Sequence, residues 1–395
     1  MNILQVNNCD LPGRIFNGFD LNVALRERAI NANQIVMDKY SDSEYVTVLN
    51  HDILQREAII YEEEKHCIKN LLFPYANVLE QNKLYKKADV VHFHFPYHNM
   101  FSLMDYQKIM DSRAVWTIHN FWPITGNCTY PMECKKWQDG CHNCDRYNDD
   151  YFPMAVDNTE FMWRVKKESY KNINPHIVVS TKYVEDYIRK SPLTEHFTNV
   201  HRIPFGIKLI EKAKPNNQKV VLAFRLEDAK VKGCDCLFEA LRELQGYEDK
   251  LEIQCVGGGT IPDDISNRFN IKNLGWINDR EEMLKIMYDW DIFVMPSLAE
   301  SFGLMAIESM GCKCALICFA NTVVEEISDA PNCAIASKYK DAKDLSLNIK
   351  RLIDNRNELE HFQNAGFKHV KENYSFDLYV DRHIALYEEV MKGNL

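Results

Sequence analysis

The chain lacks the features of several protein classes. None of its apolar runs approaches the roughly 18 residues that a membrane-spanning helix needs. The opening MNILQVNNCDLPG has no basic region followed by an apolar stretch and a cleavage site. It reads instead as a first core strand, and the expected location is the cytoplasm. Basic charge is not in excess. Lys and Arg number 47 against 57 Asp and Glu, a net charge of −10, with the acids spread over both halves. A nucleic-acid binder usually presents a basic face, so nucleic acid is not an expected partner. Short internal repeats and low-complexity tracts are also missing. Cysteine is plentiful: thirteen, an odd number, which in a reducing compartment reads as buried thiols or metal ligands rather than a disulfide framework.

What is present is an alternation of short apolar runs and longer helical patterns. Residues 2–6, 45–49, 89–95, 114–119 and 176–180 read as strands apolar on both faces, as parallel strands covered by helices do. Residues 19–30 read as the first helix. The pattern restarts after Ile203-Pro204-Phe205-Gly206 and the polar stretch 211–218, with strands at 219–224, 251–256, 291–295 and 314–319 and helices at 235–244 and 304–310. The fold class is therefore α/β, two Rossmann-like doubly wound parallel-sheet domains, expected at 1–205 and 206–375. In such sheets ligands bind outside the carboxyl ends of the strands, and two of them imply a central cleft.

The stretch Pro296-Ser297-Leu298-Ala299-Glu300-Ser301-Phe302-Gly303 leaves the strand 291–295, and the helix after it carries Glu308. Eight residues span about two helical turns, so Glu300 and Glu308 share a side. Two carboxylates so placed can grip sugar hydroxyls. By chance alone the spacing means little, since a solvated helix face explains most such pairs. Its context is more specific. Together with Phe224-Arg225-Leu226, Lys232-Gly233, Gly257-Gly258-Gly259, Asn273-Leu274-Gly275-Trp276 and the tail Tyr374-Ser375-Phe376 to Tyr387, it resembles the E-x7-E signature of retaining glycosyltransferases of family 4, which have the GT-B fold. The segment Trp116-Thr117-Ile118-His119-Asn120-Phe121-Trp122-Pro123, followed by a cysteine cluster, resembles a subgroup of bacterial capsule, O-antigen and colanic-acid-type exopolysaccharide pathways.

The resemblance implies roles. Arg225 and Lys232 would neutralise the diphosphate of a UDP- or GDP-sugar donor, Glu300 would contact the transferred sugar, and Glu308 the ribose. Ser301, Phe302, Gly303 and Leu304 would offer backbone amides. Gly257 and Gly258 would let the backbone approach the ligand, and Trp276 and Ile277 would lie at the nucleobase, core packing being the alternative for Trp276. Gly18 would line the phosphate loop, although the usual adjacent glycine pair is replaced by Asn17-Gly18; Asn at 17 is read as tolerating a left-handed backbone. Asp20, His94 and His119 would face the acceptor, with His119 a candidate to help its proton leave. Residues 376–395 would form a helix crossing back onto the first domain. No catalytic metal is implied, and no Asp-x-Asp motif is expected.

Cys128, Cys134, Cys141 and Cys144 follow C-x5-C-x6-C-x2-C. Four thiolates can enclose a structural zinc, with free thiols or a redox disulfide as the other reading. The loop would shape acceptor recognition. The activity implied is transfer of a sugar to a glycan or lipid-linked oligosaccharide, by a protein held peripherally at the inner membrane face. A nucleotide-sugar epimerase or hydrolase of the same fold, or a non-catalytic binding subunit, are the alternatives.

Overall fold

A computed structural model describes residues 1–148, 151–209, 211, 214, 215 and 218–393. Much of the polar stretch 211–218 thus lies outside the described residues. The chain forms two compact units, one of residues 1–204 with 380–395 and one of residues 205–379.

The first unit is built on seven parallel strands: β1 (Asn2–Val6), β2 (Asn31–Val36), β3 (Val46–Val48), β4 (Val90–Phe93), β5 (Ala114–Thr117), β6 (His176–Val179) and β7 (Val200–Arg202), in the order β3-β2-β1-β4-β5-β6-β7. Every residue of β4 and β5 is buried, because helices cover both faces. The strands are shorter than the apolar runs suggest. His94 and His119 each lie just past a strand's carboxyl end, in the loops, where a doubly wound sheet gathers its chemistry. β2 was not expected. Its polar start, Asn31-Ala32-Asn33-Gln34, hides it, yet Gln34 is buried and its Nε2 donates to the Asn17 carbonyl at 2.8 Å.

The second unit holds six parallel strands: β8 (Val220–Glu227), β9 (Leu251–Gly258), β10 (Ile271–Asn273), β11 (Ile292–Met295), β12 (Ala315–Phe319) and β13 (Ile335–Ser337), ordered β10-β9-β8-β11-β12-β13. The chain winds outward from β8 in both directions, so the switch point lies between β8 and β11. Arg225 lies near the end of β8, and Glu300 follows β11. Both sit where such a sheet opens to a ligand.

Two glycines show how tightly this switch point is packed. Gly233 starts the helix Cys234–Arg242 with φ +70°, and a Cβ there would lie 2.0 Å from the Pro296 carbonyl oxygen. Nearby the Leu298 N–H donates to the Val231 carbonyl at 2.7 Å, locking the loop after β11 to the turn Lys230–Lys232. Gly303, at φ +92°, turns the chain into the helix Leu304–Gly311 without a side-chain cap.

Candidate functional site

The second unit assembles a charged cluster from this packing. Lys232 Nζ donates to Glu300 Oε1 at 2.8 Å, and each residue is only 8% exposed. The Arg225 guanidinium pairs with Glu227 at 2.7 Å and lies 5.4 Å from the centre of the Trp276 ring. Glu308 faces Arg280 at 3.9 Å; burial pushes its carboxyl up, and the Arg280 charge pulls it part-way back. Arg280 was not anticipated. It opens the helix Arg280–Asp289 directly after the Trp276-Ile277 loop, and only that position could have signalled it.

Several expected roles change. Trp276 is 60% exposed, so it is not a core residue; it stands beside Arg225 as an open aromatic face. Ile277 is half-buried next to it. The glycines of the 257–259 run each answer to a neighbour within the protein, so a ligand's close approach is not needed to account for them. A Cβ on Gly257, at φ +110°, would meet the Leu226 carbonyl at 2.5 Å, one on Gly258 the Trp276 Nε1 at 2.6 Å, and one on Gly259 the Asp228 carboxylate at 2.8 Å. Phe302 is buried edge-on against Phe205 at 5.2 Å and Tyr374 at 5.9 Å, so its side chain is core and its backbone alone can serve a ligand. Ser301 and Leu304 flank the turn, half-buried. An Asp-x-Asp does occur, Asp289-Trp290-Asp291, but it precedes β11 at the amino end. Asp291 accepts the Val221 N–H at 2.9 Å, a structural task away from the switch point.

In the first unit a directed chain of hydrogen bonds runs under the loops. His94 Nε2 meets Gln5 Oε1 at 2.8 Å, and Gln5 Nε2 donates to the Tyr387 hydroxyl at 3.1 Å. That hydroxyl lies 2.7 Å from His92 Nδ1, and His92 Nε2 lies 2.6 Å from Thr117 Oγ1. An amide oxygen only accepts, so Nε2 of neutral His94 carries its proton and Nδ1 accepts from His119 Nε2 at 3.2 Å. The lone pair of His119 therefore sits on Nδ1. Burial pushes the His119 imidazole down to about 3, and the His92 and His94 imidazoles well below their ordinary value. His119 is thus a hydrogen-bonding group of very low basicity rather than a strong proton acceptor. Both His94 nitrogens are engaged, so it positions His119 and does not face an acceptor.

Gly18 is required by the same chain: at φ +80°, a Cβ there would lie 2.5 Å from His94 Nε2. Asn17 is not left-handed. It closes the turn Ile15–Asn17, and its Oδ1 accepts the Phe19 N–H at 2.9 Å at the start of the next helix, whose cap position is Gly18. Asp20 stands half-buried in the first turn of the helix Phe19–Glu27. Asn120 is likewise structural, its Oδ1 accepting from Trp122 N and Tyr97 Oη at 2.9 and 3.2 Å.

Next to Phe95, which stacks on His119 at 4.5 Å, opens a pocket of about 290 Å3 lined by Phe16, Phe95, Tyr130 of the cysteine-rich loop, and Tyr151 and Phe152 just after it, with Asn7 among its amide groups. Just ahead of the first cysteine the chain is anchored by Lys166, which is fully buried. Its Nζ lies 2.6, 2.8 and 3.2 Å from the carbonyls of Trp122, Thr125 and Gly126 and 3.4 Å over the Trp122 ring, and burial pushes the amine well below its ordinary value. The cysteines do not fit the zinc expectation as arranged. Among the described residues no three ligand atoms of Cys128, Cys134, Cys141 and Cys144 gather within 4.8 Å of one another, and the buried Cys141 Sγ accepts the Gly126 N–H at 3.1 Å. Within the loop, the Cys141 N–H bond to the Lys136 carbonyl at 2.7 Å and the stacking of Trp137 on Tyr187 at 4.9 Å add to the anchoring by Lys166.

Arg225 near the end of β8, Lys232, Glu300 and Glu308 thus all belong to the elements that meet at this switch point. Residues 207–369 match the glycosyl transferases group 1 family. That match bears out the glycosyltransferase resemblance of the E-x7-E stretch. All the switch-point residues named above lie within the matched group 1 segment. The chain is 20% identical over 231 residues, 55% of its length and 54% of the relative's, to a putative colanic acid biosynthesis glycosyl transferase, WcaC, of Escherichia coli. It is 30% identical over 150 residues, 37% of its length and 39% of the relative's, to the N,N'-diacetylbacillosaminyl-diphospho-undecaprenol alpha-1,3-N-acetylgalactosaminyltransferase of Campylobacter jejuni. The match thus spans about half or less of these curated relatives. A solved structure of Anabaena HepE in complex with UDP-glucose superposes with a TM-score of 0.65 over 98% of this chain and 99% of that one, at 12% identity. The chain has the GT-B fold. No helix among the described residues is long and apolar enough to cross a membrane.

Proposed function

We propose that this protein is a retaining glycosyltransferase that moves a hexose from a nucleotide-diphosphate donor to a glycan or lipid-linked oligosaccharide. The observation that carries the reading is the buried Lys232–Glu300 pair at the switch point of the group 1 segment, which also holds Arg225 near the end of β8. The glycosidic bond breaks as charge develops on the diphosphate, and a fixed ammonium and guanidinium stabilise that charge without reorganising. Glu300 holds the ammonium in place and presents its carboxylate to the sugar. Trp276 offers a face for the base, and Glu308 takes ribose hydroxyls. The backbone of residues 301–304 serves phosphate or sugar.

The first unit serves the acceptor. His119, with its lone pair on Nδ1, accepts a hydrogen bond from a hydroxyl; its low basicity leaves the proton to a departing phosphate oxygen. Asp20 and Gly18 border that loop. The aromatic pocket walled by the cysteine-rich loop holds acceptor sugar rings, since aromatic faces and amides together suit carbohydrate. The resemblances to a colanic acid enzyme and to an undecaprenyl-diphosphate-linked glycan transferase support a polysaccharide pathway and an acceptor presented at a membrane face. The UDP-glucose complex of the HepE structure supports a UDP-sugar first among donors, with GDP-sugars next.

A thermal-shift screen against UDP-, GDP-, ADP- and dTDP-sugars, followed by transfer assays with lipid-linked acceptors, tests the reading. One nucleotide sugar should raise the melting temperature, and Glu308→Ala should abolish that rise. Donor turnover without an acceptor would show a hydrolase or epimerase instead, and no response to any nucleotide sugar would remove the assignment.

A further inference from the structure

Among the described residues, two groups of side chains bring three metal-ligating atoms within 4.8 Å of one another. In the first, Asp329, Cys333 and His369, both imidazole nitrogens are already engaged. Nε2 meets the Ile327 carbonyl at 2.9 Å and Nδ1 meets Asn373 at 3.3 Å. The second, His176, His201 and Glu389, is arranged differently. It draws on three elements far apart in sequence: His176 opens β6, His201 is the middle residue of the edge strand β7, and Glu389 belongs to the C-terminal helix Phe376–Gly393. His176 Nδ1 and His201 Nε2 face each other at 3.1 Å.

That separation is informative. Two nitrogens each about 2.0–2.1 Å from a tetrahedral zinc ion lie roughly 3.3–3.4 Å apart, so the rings need to part by only a few tenths of an ångström to admit one. Two imidazoles and one carboxylate form a ligand set that suits zinc and its neighbours among the borderline divalent ions, with a water in the fourth position. His176 stands at the amino end of its strand, the end of the sheet opposite His94 and His119. The cluster is therefore separate from the chemistry described above and independent of the proposed activity.

We propose that His176, His201 and Glu389 form a zinc-class divalent-metal site that fastens the C-terminal helix to the edge of the first sheet. The test uses the full chain, stripped with EDTA and titrated with Zn2+ by calorimetry, with elemental analysis after desalting. The unaltered chain should take up about one equivalent. His176→Ala and His201→Ala should each weaken binding by at least roughly tenfold, whereas Cys134→Ser/Cys144→Ser should leave it unchanged. Glu389→Gln, at an exposed helix position, keeps the fold and should also weaken binding. Hydrogen exchange over residues 380–393 should slow when Zn2+ is added to the unaltered chain and remain unchanged in the histidine variants. Absence of any uptake overturns the proposal. So does a metal that stays bound in both histidine variants or departs with the cysteines.

Discussion

Lys232 and Glu300 test the site in a way that separates folding from chemistry. Their charged ends meet at 2.8 Å with side chains 9% and 10% exposed. Replacing one partner, as in Lys232→Met or Glu300→Leu, strands the other charge in the interior. Breaking a buried pair in this way costs about 3–5 kcal/mol. For a unit the size of residues 205–379, each kcal/mol moves the melting temperature by about 2–4 °C, so either single change should lower it by roughly 6–20 °C. The double variant Lys232→Met/Glu300→Leu removes both charges and fills the space with apolar atoms, which is often neutral or stabilising. It should recover to within a few degrees of the original. Sugar transfer should not recover. Loss of one fixed charge-stabilising group costs about a hundredfold or more in rate, and the double variant lacks two. Differential scanning fluorimetry and a transfer assay on the same four proteins decide it. A single variant that melts normally would show that the pair is not stabilising. A double variant that fails to recover would place the instability elsewhere, and one that transfers sugar at full rate would refute the catalytic assignment.

Trp276→Ala should leave the melting temperature unchanged, because the ring is 60% exposed; a base–aromatic stack is worth about 1–3 kcal/mol, so the donor KM should rise about fivefold or more, and an unchanged KM would remove Trp276 from the base site. Gly18→Ala should cost about 2–5 kcal/mol, from a positive φ and from the contact with His94, read as a lowered urea midpoint. The folded pKa of His119, about 3, and those of His92 and His94 lie below the unfolded value, so their contribution to stability is fully present above about pH 6.5 and is lost as pH falls from there towards 3. Each histidine should steepen the loss by up to about 1.4 kcal/mol per pH unit, and urea midpoints from pH 7.5 to 4.5 that do not slope would contradict the buried neutral chain.

The sequence was most readable where local pattern and chemistry coincide. The run from 291 to 311 shows a buried strand, a proline, a turn and a helix in order, and the structure keeps that order. The parallel sheets were legible for the same reason: β-branched runs alternate with helical spacing. What stayed hidden was pairing across distance. Nothing local announces that Lys232 donates to Glu300, 68 residues away, or that Arg280 faces Glu308. His94 was visible as a candidate, but its partner Gln5, and Tyr387 beyond it, lie at opposite ends of the chain. Trp276 looked equally like core and like surface because composition cannot tell which face a loop aromatic presents. The cysteine spacing suggested a metal cage, and the loop's actual support, buried Lys166 against three carbonyls, has no sequence signature.

The bond between Gln5 and Tyr387 spans 382 positions. Synthesis runs from the amino end, so Gln5 is made 382 residues ahead of that phenol, and all of residues 205–379 lie between the two. The first sheet thus stays unfinished, with a buried amide and imidazoles lacking their hydroxyl, until the residues of the second unit have been made. A protein cut short before residue 380 would keep the family-matched segment whole and lose the helix that completes the other half.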